Sequence, residues 1–373
     1  MKLLIQPGDG VAPLIKGITG ARRSIHIAIF RFDQREMERA LARAVGRGVS
    51  VYALIAHTNR AGEENLRKLE LRLLAAGATV SRTADDLLRY HGKWMVVDGR
   101  ELYVLAFNFC YPDIERSRSF GVITHNRDAI REALRLFDCD TARQPYETGC
   151  ENFLVSPVNA RQSLAKFIAG SKRELLIYDP KVSDPAMLRC LLERSKAGVQ
   201  LRVIGRVSAR RPEIAVRKLA NHRLHTRTMV RDRCWVFVGS QSLREGELDA
   251  RREVGLIFRD SKVASRICET FEADWAGAAE RAAEQAPQEG AGVPTERIAK
   301  KVAKAVTKEL PPVAPLVDGA VQKLAGELRE MDLVPADVQQ IVKGVVKEAV
   351  KEVVRDVLEE AVERAREGVH EEG

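Results

Sequence analysis

No apolar run in this 373-residue chain approaches the roughly 18 residues needed to cross a bilayer. The opening stretch, MKLLIQPGDGVAPLIKG, is interrupted by Pro and Gly before a secretory h-region could form. The expectation is a protein without a transmembrane segment, cytoplasmic or peripheral at a membrane. Six cysteines are scattered with no CxxC pair, which argues against both a disulfide framework and a zinc site, and most are expected as core thiols. Aromatic residues make up 5% of the chain and none follows Trp275, so there is no interleaved stacking platform for unpaired bases. Gly8 to Gly10 form a turn, because no strand-to-helix phosphate fingerprint follows them. Nothing implies a metal or an organic cofactor.

What is present is enough for a folded protein of more than one core: 45% apolar residues, 30% charged residues and a length beyond one ordinary domain. Net charge is +9, unevenly placed. The first 290 residues hold 48 Lys and Arg against 36 Asp and Glu. A basic body favours partners that carry phosphate.

An internal repeat organises that body. GARRSIHIAIFRFDQREMERALARAVGRGVSV, from Gly20, aligns without gaps on GSKRELLIYDPKVSDPAMLRCLLERSKAGVQL, from Gly170. Each copy has a basic turn, an apolar β-type run (Ile25 to Phe30; Leu175 to Tyr178), an amphipathic helical pattern, and a second strand (Val49 to Ile55; Val199 to Ile204). The alignment resumes at His91 and His225, at Arg118 and Arg252, and at Phe137 and Phe271. Two βα lobes related by a pseudo-twofold axis are expected: residues 1–144, then 145–278, with 279–373 a linker and helical tail.

The second part of the repeat carries polar residues that an apolar pattern alone would not conserve: His91-x-Lys93-x4-Asp98 and His225-x-Arg227-x4-Asp232. Residues i and i+2 of a strand share a face, so each histidine is expected to project with its cation as an anion site. Breaking a phosphodiester needs a nucleophile, a proton donor for the leaving oxygen and fixed positive charge. One imidazole cannot start as both neutral base and protonated acid, so two histidines divide the work.

These paired motifs, with Asn108 after the first and Gly239-Ser240 after the second, resemble the two HxK(x)4D motifs of the phospholipase D superfamily, from about Ser24 to Trp275. The resemblance implies a two-lobed α/β fold, each lobe a β-sheet flanked by helices. It implies a metal-independent phosphodiesterase that passes through a phosphohistidine. His91 would be the nucleophile and His225 the general acid, with Lys93 and Arg227 holding phosphate oxygens. Asn108, Ser240 and Ser242 would contact substrate, and Asp98 and Asp232 would be structural. The chain departs from the pattern at four places. Arg227 replaces Lys, Leu105-Ala106 stands where Gly-Ser is expected, Ser242 replaces Asn, and Ser119 stands opposite Glu253. The last asymmetry suggests that Glu253 orients His91 across the lobe interface while His225 has no equivalent carboxylate.

Arg251-Arg252, beside Glu253, is the basic pair best placed to line a polyanion track. His26, His57, His125, His222 and His370 have no repeat partner and are expected to be structural. In the tail, helices are expected at Glu296 to Leu310 and Ala320 to Met331. A long amphipathic helix is expected beyond Pro335, suited to self-association or a protein partner. The expected reaction is hydrolysis or transfer of a phospholipid headgroup ester. An endonuclease acting on DNA or RNA and a catalytically weakened phosphate-binding scaffold are the alternatives.

Overall fold

The computed structural model describes residues 1–58, 64–208 and 212–284. The helices expected in the tail lie outside the described residues. The strands are β1 (Lys2–Gln6), β2 (Ser24–Ile29), β3 (Ser50–Ile55), β4 (Thr79–Arg82), β5 (Arg89–Tyr90), β6 (Trp94–Val97), β7 (Glu101–Leu105), β8 (Ser117–Thr124), β9 (Phe153–Ser156), β10 (Glu174–Val182), β11 (Gln200–Val207), β12 (Ala215–Arg217), β13 (Arg223–Leu224), β14 (Arg227–Arg231), β15 (Trp235–Gly239) and β16 (Arg251–Arg259). The helices are α1 (Ala12–Gly20), α2 (Arg35–Gly46), α3 (Glu64–Ala75), α4 (Tyr111–Glu115), α5 (Arg127–Ala142), α6 (Ala160–Ala169), α7 (Pro185–Lys196), α8 (Glu245–Asp249) and α9 (Ser261–Glu284).

Two mixed sheets result. One runs β1-β8-β7-β6-β2-β3-β4, the other β12-β11-β10-β14-β15-β16-β5. In each, the strand-helix-strand unit gives a parallel pair, β2 with β3 and β10 with β11, and a hairpin lies antiparallel to its first strand. The sheets face each other over a core that includes Trp94, Val96, Val104 and Phe120 from one and Val236, Val238, Val254 and Leu256 from the other, closed by α5 and α9. The outer faces carry separate cores under α1–α3 and under α6 and α7. This double coverage explains why the hairpin strands read as continuous apolar runs rather than an alternation.

The lobes exchange edge strands. β5, from the first, pairs in parallel with β16 of the second, and β13, from the second, pairs in parallel with β8 of the first. The segment after each exchanged strand must cross from the foreign sheet to its own, and the motif histidines sit on those crossings. His91 and Lys93 therefore lie between β5 and β6 rather than on a regular strand as expected. The crossings also carry main-chain bonds between lobes: the His91 amide donates to the Arg252 carbonyl at 2.7 Å, and that of His225 to Arg118 at 3.2 Å.

Asp98 and Asp232 sit at the tips of the two hairpins with φ of 54° and 52°, followed by Gly99 and Arg233, also at positive φ. Two successive left-handed residues make a type I′ turn, whose twist matches that of paired strands. Each carboxylate accepts three consecutive amides of the basic turn before the lobe's first motif strand: Arg22, Arg23 and Ser24 on Asp98, and Lys172, Arg173 and Glu174 on Asp232.

Two expectations change. The Ala-rich segment after Trp275, read as linker, continues α9 to Glu284, since alanine favours helix where no Pro intervenes. Of the six free cysteines, Cys110 and Cys268 are buried, whereas the other four are partly exposed.

Candidate functional site

His91 is 8% exposed, and its Nδ1 lies 2.8 Å from Oε2 and 2.9 Å from Oε1 of Glu253, which is fully buried on β16 of the other lobe. A carboxylate accepts, so this contact keeps a proton on Nδ1 and leaves the Nε2 lone pair available. The Phe30 ring stands edge-on to the imidazole at 4.4 Å between centroids. Lys93 Nζ sits 3.0 Å from Nε2 and 2.8 Å from Nδ1, and donates to the His91 carbonyl at 2.6 Å. Burial first, then the charges of Lys93 and Arg227, hold the His91 pKa well below that of a free imidazole. Burial likewise brings Lys93 down to about 7, against the opposing pull of Glu253.

His225 is held from the first lobe. Its Nδ1 lies 3.0 Å from the Ala106 carbonyl and its Nε2 lies 3.3 Å from Asp113 Oδ2, a carboxylate at the start of α4. Burial lowers the His225 pKa well below the usual value; Asp113 opposes this, while Arg227 and Lys93 reinforce it. Lys93 and Arg227 thus bear on both imidazoles, which places the two histidines in one electrostatic cluster.

His225 has no carboxylate on Nδ1 equivalent to Glu253, but the expectation did not include Asp113 at its Nε2. Ser119, opposite Glu253 in the repeat, is buried with an unpartnered hydroxyl and is too short to substitute for it. Asp113 reaches the ring from another direction. Despite burial, its pKa falls to about 2, through His225, the Asn108 amides and Arg223. Its repeat mate is Glu247, also buried, which accepts from the Ser242 amide as Asp113 accepts from Asn108. The matched spacing of Asp113 and Glu247 is the sequence signal that could have found both.

Arg227 donates Nη1 to the His225 carbonyl at 2.9 Å and brings Nη2 within 3.7 Å of Glu247, while its buried Nε has no partner. Asn108 donates Nδ2 to Asp113 at 2.6 Å and leaves a buried Oδ1 without a donor. The Ser240 hydroxyl bonds the backbone of Val254, and that of Ser242 donates to the buried Asp179. Burial raises the Asp179 pKa.

Arg251 and Arg252 do not form a polyanion track. Arg252 is 8% exposed, with Nη2 3.1 Å from Asp140 of the first lobe and its guanidinium over Tyr90. Arg251 pairs with Glu247 at 3.0 Å. The repeat-related pair, Arg118 with Asp274, is bidentate at 2.8 and 3.0 Å, so two cross-lobe ion pairs flank the histidines in the repeat.

The family model described as cardiolipin synthase, PLD-like domain, matches residues 14–141 and 164–275, more than half of the chain. Mitochondrial cardiolipin hydrolase of Danio rerio is 27% identical over 129 residues, covering 34% of this chain and 56% of that protein. The chain thus spans about half the length of the curated relative it matches. Polyphosphate kinase from Porphyromonas gingivalis superimposes with a TM-score of 0.61 at 19% identity, over 74% of this chain and 50% of that one. Phosphatidylserine synthase from Haemophilus influenzae gives 0.57 at 11% identity, over 74% and 86%. These two establish a shared fold of two lobes. Among the described residues, no helix is long and apolar enough to cross a membrane.

Proposed function

Since this chain belongs to the phospholipase D superfamily, we propose that it is a metal-independent phosphodiesterase that cleaves or transfers the headgroup ester of a phospholipid through a phosphohistidine on His91. The observation that carries this reading is the buried Glu253 on Nδ1 of His91, which supports a neutral imidazole with its proton on Nδ1 and its lone pair on Nε2, beside Lys93.

His91 Nε2 attacks phosphorus, forming an N–P bond as the P–O bond to the headgroup breaks. His225 Nε2 gives its proton to the leaving oxygen, held for that step by Asp113. In the empty cluster His225 is neutral, and the charge of a bound phosphate favours its protonated form. Water or an alcohol then attacks phosphorus, His225 takes up its proton, and the N–P bond breaks. Lys93 and the unpartnered Nε of Arg227 stabilise the nonbridging oxygens. Asn108, Ser240 and Ser242 serve as polar supports around the phosphate, Ser240 and Ser242 by fixing strand and carboxylate. Asp98 and Asp232 fix the hairpins. The boundaries 1–144 and 145–278 remain the proposed lobe division, and the protein would act from the cytoplasm as a peripheral membrane enzyme.

The lipid reading is supported by the description of the matching family and by the name of the curated relative. The surplus of 48 Lys and Arg over 36 Asp and Glu in the first 290 residues favours, as a second reading, a nuclease using the same residues. Turnover of phospholipid vesicles, plasmid DNA and single-stranded DNA in parallel, with EDTA throughout, separates the two. The proposal expects lipid turnover that is lost in His91→Ala. Turnover of DNA alone favours the nuclease. Binding without turnover favours the scaffold.

A further inference from the structure

Glu247, on α8, carries a buried carboxylate on which three arginines converge. Its Oε1 accepts from Arg251 Nη1 at 3.0 Å and from Arg244 Nη1 at 3.4 Å, and its Oε2 accepts from the Ser242 amide at 3.0 Å. Arg227 Nη2 lies 3.7 Å from the same Oε2. A buried carboxylate persists where cations and hydrogen bonds replace the water it has lost, and Glu247 has both. One of its cations, Arg227, is the proposed ligand of the substrate phosphate.

The repeat shows that the fold does not impose this cluster. At the positions matching Arg227, Arg244, Glu247 and Arg251, the first lobe has Lys93, Cys110, Asp113 and Ser117. Lys93 and Arg227 share one contact, since each donates to the carbonyl of its own motif histidine, at 2.6 and 2.9 Å. Beyond that contact the lobes diverge. Asp113 turns to His225, 3.3 Å from its Nε2, whereas the longer Glu247 faces the longer cation of its own lobe.

A lysine presents one nitrogen to an anion. A guanidinium presents three in one plane, and holding two of them sets the direction of the third. In Arg227, Nη1 is held by the His225 carbonyl and Nη2 faces Glu247. That leaves Nε, buried and without a partner among the described residues, to meet a phosphate oxygen.

We propose that Glu247 is a positioning residue that aims Arg227 at the substrate phosphate, so that the arginine acts as a directed donor and not only as a positive charge. The inference rests on the reading of Arg227 as a phosphate ligand, and it holds for a lipid or a nucleic-acid phosphodiester alike. Coulomb attraction alone predicts the opposite, because deleting a negative charge beside the cleft would strengthen anion binding there.

The test is a double-mutant cycle on the full-length chain, combining Arg227→Lys with Glu247→Gln and read by calorimetric titration of sulfate. With Glu247 present, Arg227→Lys should weaken sulfate binding about tenfold; in the Glu247→Gln background the same replacement should change it by less than about twofold. Hydrolysis of bis(p-nitrophenyl) phosphate should follow the same pattern. Glu247→Gln alone should lower kcat about tenfold with KM within about twofold, and should cost less than about twofold in kcat in the Arg227→Lys background. A loss through general destabilisation would appear in both backgrounds, and circular dichroism checks that each variant is folded. Glu247→Asp, which keeps the charge but withdraws it by one methylene, takes the place of Glu247→Gln if that variant does not fold, with the same expectation. Equal effects of Arg227→Lys with and without Glu247, or tighter sulfate binding in Glu247→Gln with full kcat, overturn the proposal. Absence of turnover on every substrate, with the sulfate coupling intact, removes the proposed function while leaving the role of Glu247 in place.

Discussion

Asp113 of the first lobe lies 3.3 Å from Nε2 of His225 of the second, while Nδ1 of the same ring is held by the carbonyl of Ala106. The two histidines are therefore supported differently: His91 has its carboxylate on Nδ1, and His225 has its carboxylate on Nε2. An imidazole with a carboxylate behind it is suited to attack, and one with a carboxylate at its exchanging nitrogen is suited to hold a proton.

Removing the carboxylate at the second ring should move the pH profile in a known direction. Asp113 raises the His225 pKa, so Asp113→Asn lowers it, and the alkaline limb of kcat, where the general acid loses its proton, moves to lower pH. Arg223 lowers the same pKa, so Arg223→Gln should move that limb to higher pH. Measured pH–kcat profiles that shift together, or not at all, contradict the assignment.

Glu253→Gln preserves shape and removes the negative charge behind His91. Turnover should fall by about 10²-fold or more, within the usual range for loss of acid–base support. Near-normal phosphate labelling of His91 in this variant, read by mass spectrometry, would exclude the orienting role.

The Lys93 pKa of about 7 makes anion binding pH-dependent. Below pH 7 the empty site holds a lysine cation; above it the amine is neutral. Sulfate, whose charge is constant over this range, should bind more weakly as pH rises above 7, and binding near pH 8 should take up a proton as the anion raises the lysine pKa. Calorimetry in buffers of different ionisation enthalpy measures that uptake. Lys93→Met should abolish the component above pH 7; persistence there would assign it elsewhere.

The ion pair between Arg118 and Asp274 joins the lobes, and Asp274 also accepts from Tyr178 at 2.7 Å. Asp274→Ala leaves a largely buried guanidinium and a phenol without their acceptor, at a cost of about 3 kcal/mol. Urea unfolding followed by circular dichroism reads this directly. A change below about 0.5 kcal/mol would place the pair with ordinary surface salt bridges.

Much of this arrangement was legible in the chain. The doubled motif marked the histidines and their cations, and the repeat marked two lobes, because polar residues kept at matched spacing resist explanation by an apolar pattern. The contact of Glu253 with His91 was within reach through its asymmetry with Ser119. Asp113 and Glu247 were overlooked although they occupy matching positions, since their surroundings, YPDIE and EGELD, share little else. Arg118, Arg252, Asp140 and Asp274 also match in pairs. What paired them was the exchange of β5 and β13 between sheets, and the apolar pattern of two-residue strands carries no information about which sheet receives them. For the same reason Arg252 read as part of a polyanion track, although its guanidinium is buried against Asp140 and Tyr90.

The most direct test is to stop the reaction in denaturant during turnover of a phosphate-labelled phospholipid, with EDTA present, and to map acid-labile phosphate on the peptides. Label should appear on the peptide carrying His91, accumulate in His225→Ala, where the second step lacks its base, and vanish in His91→Ala. Sustained turnover with label on His225, or with no labelled histidine at all, contradicts the account.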